Sequence, residues 1–512
     1  MREAGNRRSR VVGRDTARRL QAAGPIGDNG LPDNRLPQSG PKNRSKHFIT
    51  PDVSEGVSMM PMTQRPRADR NSRSRRTTRR RFLGVTAATA AAAVPWIVPS
   101  SVLGRDGQTP PSEKITLGVL GVGDQGTADM NAFLQIPDVR VVAICDVNQR
   151  NIAAARRTIA QAYGNDEVKI YSDFRELNAD PTIDAVQMSL PEHWHSIPSI
   201  DALMHGKHAY YEKPMAMSFE ESRRVRQAVR NRGVVFQFGT QQRSDMRFRW
   251  ASELALNGRL GKLQQIDVSV PGGRNKPVFP EQPVPAWIDW DRWIGPAPTT
   301  PFHEEKLIRG NHEYMSNFAL GMIVCWGVHH LDIAQWGNGI DLTGPHTIEG
   351  TGQFPQPGGA FDTILNWDVR FEFERGAPVR FVNDGTPGFE HGVKFSGETG
   401  WVHVNRERIV ASSDELLQDP QNQVGTMAVK LPVSDHHHRN FIEAIRSQTR
   451  PICDIETAVR SDTLCLLALI AVKTGRKLTW DPQTERFVND NDANAMLQPR
   501  PCRGDWIIPD PA

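Results

Sequence analysis

The chain has 512 residues, of which 38% are hydrophobic, too many for one ordinary core, so two domains plus an appendage are expected. Its formal net charge of +4 averages two unlike parts: residues 1–81 carry 20 Lys+Arg against 7 Asp+Glu, and residues 82–512 carry 42 against 51. A mildly acidic body without a basic stripe excludes nucleic acid as the natural partner and suits a small-molecule enzyme, while five scattered cysteines (Cys145, Cys325, Cys453, Cys465 and Cys502) form neither a disulfide framework nor a zinc-ligand spacing.

Residues 1–76 are rich in Arg, Pro, Asn, Gly and Ser and lack an apolar period. They read as disordered, or as a leader upstream of a true start at Met59, Met60 or Met62. Within 77–104, Thr78-Arg79-Arg80-Arg81-Phe82-Leu83 runs into an Ala-rich apolar stretch that ends near Val98. This is the pattern of a twin-arginine export signal. It implies the twin-arginine export machinery as a partner and a periplasmic location, with membrane anchoring if the signal stays uncleaved. Export by this route carries a folded protein, which suits a chain whose cofactor is loaded in the cytoplasm.

From 113 to 240 strand-like and helix-like stretches alternate. The strands are expected at Ile115–Leu120, Val139–Cys145, Val168–Tyr171, Ala185–Ser189, His208–Tyr211 and Val234–Phe238. Helices are expected between them, at Asn148–Tyr163, Ser196–His205 and Ser218–Arg232 among others. Such alternation implies a doubly wound parallel sheet. The first strand feeds into Gly121-Val-Gly123-Asp124-Gln125-Gly126, and the second ends in Asp146, at the spacing of a dinucleotide fingerprint. Gly121 permits the tight turn, Gly123 lets the backbone approach a diphosphate, and Gly126 allows close packing of the helix. The helix dipole then favours the diphosphate charge. A carboxylate at Asp146 accepts hydrogen bonds from ribose hydroxyls and repels a 2′-phosphate, so NAD is preferred and NADP disfavoured.

The pattern changes across 241–512. A strand is expected at Gly261–Val270, and Leu365, Trp367, Val369, Phe371 and Phe373 alternate with polar residues, the mark of a half-buried antiparallel sheet. Helices at Arg439–Ser447 and Ile455–Thr474 follow. The fold class is α/β: an N-terminal doubly wound Rossmann domain plus a C-terminal α+β domain with a large, mainly antiparallel open sheet. The default site is the cleft between them. His436-His437-His438 has the composition of a metal tract, but three consecutive side chains cannot all face one ion, so no metal is expected and the run reads as a helix start. Trp287, Trp290 and Trp293 could stack on a sugar ring or simply pack.

The glycine fingerprint, Ser189-Leu-Pro191-Glu-His193-Trp-His195, Tyr211-Glu212-Lys213-Pro214, Gly239-Thr-Gln241-Gln-Arg243, Asp289-Trp-Asp-Arg-Trp-Ile-Gly-Pro296 and Trp326-Gly-Val-His329-His330-Leu-Asp332 together resemble the Gfo/Idh/MocA oxidoreductase family. The resemblance implies that Lys213 lies beside nicotinamide C4 and the reacting hydroxyl, with Glu212, Ser189, Pro191 and His195 around the cofactor. It also implies that His329 transfers the proton, that Gln241, Arg243 and His330 face the substrate, and that copies assemble through the C-terminal sheet. One position departs from the pattern. Relatives carry an acid four residues before the histidine, where this chain has Cys325. The expected activity is hydride transfer between NAD and a secondary hydroxyl of a sugar, sugar derivative or cyclic polyol. The alternatives are glycoside cleavage or epimerisation by transient oxidation on tightly held NAD, and a non-catalytic sugar-binding protein on the same fold.

Overall fold

The computed structural model describes residues 110–423 and 426–511. The leader at 1–76 and the whole signal segment at 77–104, with the twin-arginine motif in it, lie outside the described residues. The first sheet has six parallel strands, β1 Ile115–Leu120, β2 Val139–Cys145, β3 Lys169–Tyr171, β4 Ala185–Met188, β5 His208–Tyr211 and β6 Phe236–Phe238, in the order β3-β2-β1-β4-β5-β6. Strands β4 and β6 are buried throughout, because helices cover both faces of such a sheet. Local chemistry sets the helix ends. Asn148 Oδ1 accepts from the amides of Arg150 and Asn151 to start Gln149–Tyr163, and Ser218 Oγ accepts from Glu221 N to start Phe219–Arg232. Gly164 and Gly233 stop these helices in the left-handed region, at φ 73° and 62°. The strand order reverses between β1 and β4, which opens a crevice beyond their carboxyl ends.

The second sheet has nine strands: β7 Leu263–Val270, β8 Thr347–Gln353, β9 Asn366–Glu372, β10 Val379–Asn383, β11 Gly392–Gly397, β12 Trp401–Val404, β13 Ile409–Ala411, β14 Leu478–Asp481 and β15 Arg486–Phe487. Their order is β13-β12-β11-β7-β10-β9-β8-β14-β15, and every pairing is antiparallel except β7 with β10. In β9 the side chains of Trp367, Val369 and Phe371 point into the core, as the alternation requires. The helix Ile455–Thr474 has 16 of its 20 residues buried, the signature of a helix enclosed on all sides. It packs against β8, β9 and the helix Gly327–Asn338 on one side, and against β6 and the helix Phe219–Arg232 on the other.

One buried polar tie crosses between the halves and another locks the second domain internally. Asp462, inside that enclosed helix, accepts from Met215 N at 3.0 Å and Ser222 Oγ at 3.1 Å. Arg243 donates to both oxygens of Asp332 at 2.8 Å and to both oxygens of Asp341 at 2.9 Å. This corrects the substrate role expected of Arg243. Its side chain is 2% exposed and that of Asp332 is 0% exposed, so the guanidinium serves to neutralise buried carboxylates. Helix His437–Ser447 lies late in the sequence yet packs on the first sheet, with Phe441, Ile442 and Ile445 in the same core cluster as Phe133 and Tyr210. The histidine run that opens it turns three ways. His436 caps the helix through Arg439 N, His437 reaches Phe238 O, and His438 Nε2 meets Asp129 Oδ1 at 3.1 Å.

Replacing Arg243 with Met would leave Asp332 charged, buried and unpaired. The expected cost is about 3–5 kcal/mol of stability, read as a large fall in Tm. A near-native Tm combined with a raised KM would instead restore Arg243 to the substrate site.

Candidate active site

The glycine turn shows why each glycine is needed. Gly121 sits at φ +82°, and a Cβ there would lie 2.4 Å from Ser189 O. A Cβ on Gly126 would lie 2.0 Å from Gly121 O, so the helix Asp124–Leu134 starts tight against the turn. A Cβ on Gly123 would meet no protein atom within 4 Å and would project into open space. No side chain caps that helix, so its first amides stay available to an anion. Asp146 braces the turn from the end of β2, accepting from Val122 N and Asn148 N at 2.8 Å each. Gly121, Gly123, Asp124, Gln125, Gly126, Asp146, Ser189, Pro191, Glu212 and Lys213 all line one cavity of about 430 Å³. A bare-backbone cradle beneath an uncapped helix, with a carboxylate at the second strand's end, fits a dinucleotide diphosphate and ribose.

Lys213 stands where β5 ends and is 8% exposed. Its Nζ lies 3.9 Å from Glu313 Oε1, which also holds Arg309 Nε at 3.0 Å. Burial pushes the Glu313 carboxyl up, but Lys213 and Arg309 outweigh it and the group titrates below its usual range. Arg309 extends further and donates to Gln125 Oε1 in the glycine turn at 2.7 Å. The acid missing at Cys325 has a counterpart from the first domain: Cys325 Sγ donates to Glu192 Oε1 at 2.6 Å, while Glu192 Oε2 accepts from Leu320 N at 3.1 Å. Burial, reinforced by Glu313, pushes the Glu192 carboxyl up to about 7 against the opposing pull of Cys325 and Lys213.

The other expected site residues divide into two groups. Glu212 borders the cleft, with its carboxyl raised by burial and by Asp129, and accepts from Gln241 Nε2 at 3.3 Å. Gln241 therefore supports Glu212. A Cβ on Gly239 would lie 2.4 Å from Glu212 Oε1, so that glycine makes room for the carboxylate. Ser189 lines the cleft, but its hydroxyl points behind the turn to Asp129 Oδ2 at 2.9 Å. His195 does not line the cleft, contrary to expectation. Its ring sits between Pro214 O at 2.6 Å and Leu190 O at 2.7 Å, and so clamps the two segments that carry Lys213 and Pro191. His329 and His330 are buried on the second-domain side. His329 Nδ1 has no hydrogen-bond partner among the described residues, and burial, with Arg406 and Lys213 nearby, lowers its pKa well below the ordinary range. His330 Nδ1 meets Ser269 O at 3.0 Å.

Sequence reasoning singled out Asp289–Pro296 and Trp287 but not their role in closing the cleft. Trp287 O accepts from Gln149 N at 2.8 Å, Asp289 N donates to Val147 O, Arg292 reaches Ser172 O, and Arg150 pairs with Glu304 at 3.0 Å. Trp287 lies under Arg150 at 3.9 Å. Trp290 and Trp293 stack on each other at 4.8 Å in the core. The stretch has no period to announce it. The signal for Glu192 was present, since it is a carboxylate inside the Pro191-to-His195 motif.

Comparison with known proteins supports this assignment of parts. Residues 115–240 match the family model described as oxidoreductase family, NAD-binding Rossmann fold, and residues 272–508 match its companion, oxidoreductase family, C-terminal alpha/beta domain. The chain is 24% identical over 316 residues to the uncharacterized oxidoreductase YrbE of Bacillus subtilis, covering 60% of this chain and 80% of that protein. It is 33% identical over 116 residues to glycosyl hydrolase family 109 protein 2 of Shewanella sp., which is 22% of this chain and only 25% of that protein. The WlbA dehydrogenase from Bordetella pertussis, solved with NADH and UDP-GlcNAcA, shares the fold with a TM-score of 0.55 at 19% identity, over 72% of this chain and 99% of that one.

The raised carboxyl of Glu192 has a consequence for stability. An acid with a pKa of about 7 when folded and an ordinary value of 4.5 favours folding at low pH, and that contribution is lost as pH rises through 7. Between about pH 5 and about pH 8, thermal unfolding of the wild type should therefore lose on the order of 3 kcal/mol relative to Glu192→Gln. Parallel pH profiles for the two proteins would contradict the raised pKa.

Proposed function

Because the chain belongs to the Gfo/Idh/MocA oxidoreductase family, we propose that it is an NAD-dependent dehydrogenase acting on a secondary hydroxyl of a sugar, sugar derivative or cyclic polyol. The observation that carries this reading is Lys213, whose ammonium lies in the wall of the same cavity as the glycine turn and next to Glu313. NAD, held by the turn and Asp146, supplies the hydride acceptor. Lys213 stabilises negative charge developing on the substrate oxygen, and Glu313 holds the ammonium in place. His329, neutral and with a buried ring nitrogen that has no partner among the described residues, is the base this reading assigns to the hydroxyl proton. Three cations, Arg406, Lys213 and Arg309, oppose its protonation, so the proton passes onward rather than resting there. Glu192, which contacts Cys325 one turn before His329 and has its carboxyl raised to about 7, is the residue this reading assigns to receive it.

A second reading is favoured by the segment closing the cleft. Contacts at Gln149, Val147, Arg150 and Ser172 lie over the adenosine side, an arrangement that retains the cofactor between turnovers and suits glycoside cleavage or epimerisation without net redox. Accumulation of NADH during turnover separates the two. The apolar stretch after Arg79 and Arg80 supports export to the periplasm by the twin-arginine route, and the long open sheet supports assembly of copies through it.

Lys213→Met should keep NAD binding while turnover falls on the order of 10²-fold or more, and His329→Ala should behave likewise. Unchanged turnover with NAD still bound would end the mechanism. Changing Arg79 and Arg80 together to Lys should hold the precursor in the cytoplasm on fractionation. Undiminished periplasmic protein would overturn the export reading.

A further inference from the structure

Arg406 stands at the turn between β12 and β13. Asn405 Oδ1 fixes that turn by accepting from Glu407 N and Arg408 N at 2.9 Å each. Its neighbour Arg408 has an ordinary ion pair with Glu390 at 2.6 Å, whereas Arg406 has none among the described residues and remains exposed. Its guanidinium lies 4.5 Å above the Trp326 ring, one turn before His329 and His330. The Gln242 amide, with its nitrogen on His329 O at 2.8 Å, presents its oxygen to Arg406 Nε at 3.2 Å. The two terminal nitrogens have no acceptor among the described residues. The charges that act on Arg406 are Glu212, Arg309 and Asp245, and the Gln242 amide ties it to the backbone of His329. Lys213 and Arg309 share Glu313. Arg406 is the cation of this group that has no carboxylate of its own.

A planar fork with a stacked face, one nitrogen pinned and two free is a bidentate receptor for an oxyanion. We propose that Arg406, held by Trp326 and Gln242, is a subsite for an anionic substituent on the substrate: a carboxylate or a phosphate ester on the sugar or polyol. This rests on the dehydrogenase reading, with His329 at the reacting hydroxyl. The charge of the anion would offset the cost of leaving a partly desolvated guanidinium unpaired.

The test uses the full NAD-loaded protein with three probes that differ at one carbon: D-glucose, D-glucuronate and D-glucose 6-phosphate. Calorimetry and NADH formation are both read. One of the two acids should bind at least roughly tenfold more tightly than glucose, and which acid does so separates carboxylate from phosphate recognition. Arg406→Ala should abolish that preference by raising the Kd or KM for the acid rather than lowering kcat, and Arg406→Lys should restore part of it. Equal or weaker binding of both acids, no saturable binding of either, or a preference that survives Arg406→Ala overturns the proposal. A fall in NAD affinity in Arg406→Ala assigns the residue to the cofactor and overturns it equally. If glucose alone is oxidised, in a Lys213-dependent manner, the anion subsite falls while the dehydrogenase reading stands.

Discussion

The structure depends on one buried carboxylate placed far from the residue it controls. Asp462, 0% exposed inside the enclosed helix Ile455–Thr474, accepts from Met215 N and Ser222 Oγ, and burial raises its carboxyl to about 7. Met215 follows Lys213 by two residues. The same short segment is held by Tyr211 Oη on Met215 O and by His195 on Pro214 O. Lys213 therefore sits on a backbone fixed from three sides, one of them supplied by the far end of the chain. The catalytic role proposed for it needs such support, because a reacting group must be held close to its productive geometry.

Charge balance explains the rest of the centre. Lys213 and Arg309 converge on Glu313, whose single negative charge they share in a poorly solvated space. Glu192 and Glu212 are pushed towards their neutral forms by burial, and His329 is pushed the same way by burial and by the surrounding cations. The ordinary order of acid and base is thereby inverted, the carboxyls holding a proton more firmly than the buried imidazole. Arg406, stacked on Trp326, has no ion pair among the described residues and stands outside this balance.

Replacement of the family's acid by Cys325 looks in the sequence like the loss of a catalytic partner. In three dimensions Glu192 stands 2.6 Å from the thiol, and Asp332, the nearest acid along the helix, is fully engaged by Arg243 and by Ser461 at 2.6 Å. A carboxylate therefore does stand at this position in space, contributed by the other domain, where chain position gives no hint of its neighbour.

The sequence by itself determined the six parallel strands, the glycine turn, the antiparallel sheet and the position of Lys213, because each follows from a local rule: a period of two or 3.6, a glycine without Cβ, or a residue at a strand's carboxyl end. The tertiary structure alone decided what the long-range contacts do. It buried Arg243 against Asp332 and Asp341, set His195 between two carbonyls, closed the cleft with a segment lacking any period, and brought Glu192, Glu313, Arg309 and Arg406 around one point. These residues lie more than 200 positions apart at the extremes. Side-chain meetings across that distance are fixed by how the sheets and the enclosed helix pack, and no local pattern encodes them.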